Sequence, residues 1–167
     1  MTPVEIEKAL ADIVIARDNA CKEKIKTISS DKQTEKKALS IESGMYSLCL
    51  RGGLFYNPND DREKAIALKN TRMPNFVEKY PIFAKYYSSA DDAEKIRLTA
   101  ALYGEVWLED QFVNIYRTEL DEAEKHGDAA KIFENRIKYE VVKAVLAEWK
   151  TWRRENGIYP ELPGDKV

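Results

Sequence analysis

The chain has 167 residues, 44% of them hydrophobic, enough to fill one core and too few for two comfortable domains. Its 27 Lys and Arg against 29 Asp and Glu leave a formal charge of −2, which excludes the global basic field of a binder of nucleic acid or anionic membrane. The longest apolar runs fall far short of a membrane span and no charged segment followed by an apolar core opens the sequence, so a cytoplasmic protein is expected.

The first element announces itself. Thr2-Pro3-Val4-Glu5 offers a capping threonine, proline at the first helical position and a glutamate placed for a capping box. An apolar stripe through Ile6, Leu10, Ile13, Cys21, Ile25 and Ile28 carries this helix to about Thr27. A second stripe runs from Ala38 through Ile41, Met45, Leu48 and Cys49 until Gly52-Gly53, where the helix is expected to end. Ser30 as cap with Gln33 three residues later favours a helical hairpin. One long helix competes with it, because Ile6, Ile13, Ile41 and Leu48 share a heptad phase.

Leu54 to Asn59 reads as a loop folded onto the core, and Asp60 with Glu63 as the start of a short helix ending before Pro74. Two short units follow, Pro74 to Tyr80 and Pro81 to Tyr87, each with proline first, phenylalanine third and tyrosine seventh. They predict two angled helical turns packing aromatic residues over the centre.

That centre is the stretch from about residue 90 to 126. Ile96, Ala100, Tyr103 and Trp107 form one face, while Leu98, Ala101, Leu102, Leu108, Phe112, Ile115 and Tyr116 cover the adjoining surface, and a helix apolar over most of its circumference belongs inside a core. Ser88, Ser89, Asp91 and Asp92 supply cap candidates and Gly127 a stop, giving one helix of about 35 residues. Gly104 in its middle implies a close helix crossing. Asp128 then caps a last helix to about Glu155, lying antiparallel to the spine. Ile158, Tyr159 and Leu162 are expected to anchor an extended tail, with disorder beyond Gly164. The expected fold is therefore a single all-α domain over residues 1–163, five or six helices around a long central one.

Chemistry is scarce. His126 is the only histidine, which rules out within one chain any di-iron, haem or zinc site needing several histidines, and no cofactor is expected. Cys21 and Cys49 read as buried free thiols. A metal-dependent enzyme would use Glu105, Glu109 and Asp110, of which Glu105 and Glu109 lie one turn apart; solvent-facing or salt-bridged carboxylates are the plainer alternative. A nucleic-acid-associated regulator would use Lys22, Lys24, Lys26, Lys32, Lys36 and Lys37, which outnumber Glu23, Asp31 and Glu35. The expectation that leads is a non-catalytic interaction or regulatory module, binding a protein partner or a second copy of itself through a helical surface. Tyr80, Phe83, Tyr86 and Tyr87 are its candidate anchors, against a reading of the same cluster as core with hydroxyls reaching outward.

Overall fold

Thr2 and Glu5 form the expected reciprocal box: the Glu5 amide donates to Thr2 Oγ1 at 3.2 Å and the Thr2 amide to Glu5 Oε2 at 2.8 Å. Helix α1 runs from there over Pro3–Thr27 in a computed structural model that describes residues 1–54 and 56–158. The helices that follow are α2 (Gln33–Leu48), α3 (Arg62–Val77), α4 (Pro81–Ser89), α5 (Asp92–Leu108), α6 (Asn114–His126) and α7 (Ala129–Glu155). Two π-helical segments continue helices without a break, Cys49–Leu54 after α2 and Glu109–Val113 between α5 and α6. The result is an all-α bundle of six continuous helices, within the five or six expected, and no strand occurs among the described residues. None of the described helices is long and apolar enough to cross a membrane.

The N-terminal region is a hairpin, not one long helix. Ile28 turns to extended backbone (ψ 140°), and α2 begins only at Gln33. The expected Ser30 cap is not used. Lys32 precedes the helix without a side-chain cap, while Gln33 donates back to the Ser30 carbonyl and Ser29 to Asp31. Asp18, 7% exposed, accepts from Ser43 Oγ at 2.7 Å, and Cys21 Sγ donates to the Leu39 carbonyl, binding α1 to α2 side by side. Of the residues in shared heptad phase, Ile6 lies in the core and Ile13 and Leu48 pack against it from the two helices.

Two further boundaries differ from expectation. Gly52-Gly53 does not end its helix, since the backbone passes through it in the first π segment. The α3 cap is Asp61, whose carboxylate accepts from the Lys64 amide, one residue after the expected Asp60. More informative is Pro74, which lies inside α3 instead of after it. A proline in a helix deprives the carbonyl four residues earlier of its donor. Here that carbonyl belongs to Asn70, and the Tyr87 hydroxyl reaches it at 3.2 Å while also bonding Asn70 Oδ1, which in turn accepts from Thr99 at 2.7 Å. The first of the two proline units is therefore the last turn of α3, and only the second is a separate helix.

The spine is helical from Asp92 to His126, capped by Asp91 at one end and by Gly127 in the left-handed region (φ 64°) at the other. Its buried face includes Leu98, Ala101, Leu102, Val106 and Leu108. Within it Gly104 performs the expected close crossing. A methyl group at this position would sit 3.0 Å from both Leu54 Cδ2 and Trp149 Cζ3. Trp149, fully buried on α7, cannot slide away, because its indole Nε1 donates to the Leu10 carbonyl of α1 at 3.1 Å. After the 127–128 turn, α7 packs back along α6, with Arg136 reaching Glu124 at 3.2 Å. Ile158 is buried at the end of the described chain; the expected anchors Tyr159 and Leu162, with residues 164–167, lie outside the described residues.

Two substitutions test this packing. Gly104→Ala should destabilise by about 1–2 kcal/mol despite alanine's better helix propensity, because the added methyl overpacks a fixed indole; urea denaturation reads it. Tyr87→Phe should cost about 1 kcal/mol in the native chain and clearly less alongside Pro74→Ala, whose new amide supplies Asn70 with its missing donor.

Candidate interaction surface at the second π segment

An extra residue in the backbone turn re-aims a helix. The apolar stripe of the spine advances Ile96, Ala100, Tyr103, Trp107 by fours and threes, then takes five residues to Phe112 and four to Tyr116. The π segment Glu109–Val113 accommodates the long step. The Trp107 and Phe112 rings meet at a tilt with centroids 4.7 Å apart, and Phe112 and Tyr116 follow at 5.7 Å. Such wide turns recur at functional sites, and this one meets the corner between α3 and α4. There Lys79 Nζ pairs with Asp110 Oδ1 at 2.9 Å, and the Tyr80 and Phe83 rings meet edge to face at 5.9 Å. Burial, reinforced by the charges of Glu109 and Asp110, pushes the Tyr80 hydroxyl up to about 12, so it remains a neutral donor at physiological pH.

The structure thus brings Tyr80 and Phe83 to one corner with Glu109 and Asp110. Tyr80, Phe83 and Tyr86 are half-buried. Tyr87 is 6% exposed and its hydroxyl is spent on Asn70, so it belongs to the core and supports the corner from beneath.

Two of the three carboxylates are engaged, each with different partners. Glu105, 3% exposed, accepts two bonds from Arg153 of α7, at 2.9 Å from Nε and 3.1 Å from Nη2. Asp110 has one oxygen on Lys79 and the other on Gln111 Nε2 at 2.7 Å. Glu109 is half-buried, and no group of three or more metal-ligating side chains occurs among the described residues. The six lysines all lie exposed at the end of the α1–α2 hairpin, where Lys22 pairs with Asp18 at 3.0 Å and Lys26 with Glu23 at 3.3 Å. His126 closes α6, exposed and 3.5 Å from Glu122.

Sequence reasoning missed a second buried ionic group. Glu7, 1% exposed, accepts from Arg62 Nε at 2.6 Å and from Lys69 Nζ at 2.9 Å. Lys69 also donates to the Leu54 carbonyl, which closes the first π segment, and its ammonium sits 5.3 Å from the Tyr103 ring. Burial pulls the Lys69 ammonium below the ordinary lysine range, against the Glu7 charge that favours its proton. The signal was present: Arg62, Ile66, Lys69, Met73 and Val77 advance by four, three, four and four, so two of the five stripe positions are charged. Arg153 likewise follows Val142, Val145 and Trp149 on the buried stripe of α7.

Removing one partner of such a pair leaves a buried charge without its counter-ion. Glu105→Gln should therefore cost about 3 kcal/mol in urea denaturation, and Glu105→Leu combined with Arg153→Leu distinctly less than the two single changes added together.

Comparison with protein-family models, with curated proteins and with solved structures found no match to this chain.

Proposed function

We propose that the protein is a non-catalytic binding module whose contact surface is the corner of α4 and the second π segment. The observation that carries this reading is the half-buried Phe83 and Tyr86 on a short helix, with Tyr80 just before its start, whose footing is fixed by Tyr87 and Asn70. Aromatic side chains on a rigid support give large contact area at small entropic cost, the property that makes tyrosine an interface anchor. The reading also draws support from how reactive groups are used. Glu7, Glu105 and Asp110 are engaged in ion pairs, and burial raises the thiols of Cys21 to about 11 and Cys49 to about 12, which suppresses their nucleophilic form. Two free buried thiols agree with a reducing compartment, and we place the protein in the cytoplasm.

A photo-crosslinking residue in place of Tyr86 tests the proposal, with the same residue in place of exposed Ala147 as control. In cells that make the protein, Tyr86 should give a discrete protein adduct that Ala147 does not. Identical adduct patterns at the two positions, or none at Tyr86, would sink it.

A further inference from the structure

The protein ends, on one side, in two hairpin tips of opposite charge. In the first, residues 22–37 hold six lysines against three acidic residues; in the second, residues 119–134 hold six acidic residues against Lys125 and Lys131. The two tips point the same way. α2 and α7 pack against each other and run the same way, since Arg17 of α1 reaches both Tyr46 late in α2 and Glu148 late in α7, while at the other end Lys138 and, more weakly, Lys37 hold the Glu134 carboxyl below its usual range. One molecule therefore presents a positive patch and a negative patch side by side.

We propose that this end of the molecule is a self-complementary docking surface, occupied by the same end of a second copy related by a two-fold axis. Such an axis lays the lysine tip of each protomer on the acidic tip of the other, so a single patch pair is satisfied twice. The charges are available for it. Lys24, Lys32 and Lys36 make no ion pair among the described residues, nor does Glu119, exposed along the groove between α6 and α7; Glu122 beside it is exposed too, with Lys125 and His126 of its own helix 3.7 and 3.5 Å away. The lysine tip also has an apolar floor: Ile28, Ala38 and Leu39 line a groove between its two helices, and the Thr27 hydroxyl beside them is turned back onto the Glu23 carbonyl at 3.1 Å. That floor distinguishes a protein occupant from nucleic acid, whose phosphates would use the lysines alone. The same protein carries the acidic, alanine-bearing surface that fits, with Ala129 and Ala130 exposed at the acidic tip.

Charge exchange tests the arrangement without disturbing the core. Variant one is Lys32→Glu with Lys36→Glu, variant two Glu119→Lys with Glu122→Lys; all four side chains are exposed, and circular dichroism checks that each variant folds. Sedimentation velocity at high micromolar protein should show a dimer for the native chain in about 0.05 M salt and a monomer in about 0.5 M, where the screening length falls to roughly 4 Å. Each variant alone should be monomeric at low salt, since by the same count both tips of variant one are negative and the acidic tip of variant two is neutralised, so neither keeps a pair of opposite patches. Their equimolar mixture should restore a dimer containing one of each. A native chain that stays monomeric at low salt, a variant that still dimerises, or a mixture that remains monomeric would each overturn the proposal, as would dimers that assemble only when a DNA duplex is added.

Discussion

The bundle depends on one place where two helices nearly touch. Gly104 of α5 lies under the Trp149 ring of α7, and the next residue, Glu105, holds Arg153 one turn further along α7. The same indole donates to the backbone of α1. Three helices thus meet at one residue without a side chain, one tryptophan and one bidentate ion pair. Close approach makes the ion pair short, and the pair's geometry keeps the helices from rotating out of the close approach. A hydrophobic contact alone would tolerate slippage, while a fork of two directed bonds does not. Around this point the remaining elements are hung by similar polar links, Glu7 to α3 and Asp18 to α2.

Much of this was written plainly in the chain. The Thr2 box, the hairpin of α6 and α7, the extent of the spine and the crossing at Gly104 all follow from caps, stop residues and apolar spacing. Two of the misplaced boundaries have a common cause: local rules assume that a helix meets its own hydrogen-bonding needs. Pro74 breaks that assumption, because Tyr87, distant by more than a helix turn, supplies the absent donor. Gly52-Gly53 breaks it again, because Lys69 bonds the carbonyl at the end of the π segment. Tertiary contacts decided both boundaries.

The candidate site was half legible. Tyr80, Phe83, Glu109 and Asp110 could be singled out by residue type, but their meeting at one corner depends on a π turn that shows in the sequence only as a five-residue step from Trp107 to Phe112. Tyr87 looked like its neighbours and proved to be a core residue, since the step of about 100° from one helical residue to the next turns it inward from Tyr86. The charged stripe positions Arg62, Lys69 and Arg153 are the clearer lesson. A charge where the periodicity demands an apolar residue points to a buried counter-charge elsewhere in the chain, here Glu7 and Glu105.

The π segment also bears on how sequences related to this one should be aligned. Each residue of a helix turns its successor by about 100°, so the extra residue between Trp107 and Phe112 separates two helical stretches that each obey ordinary spacing. A relative lacking it would keep both aromatic stretches and the same fold while giving up the wide turn beside Asp110. A one-residue gap at this point would then mark a spine without the wide turn, and the count of residues between two aromatic positions would serve as a reading of its backbone.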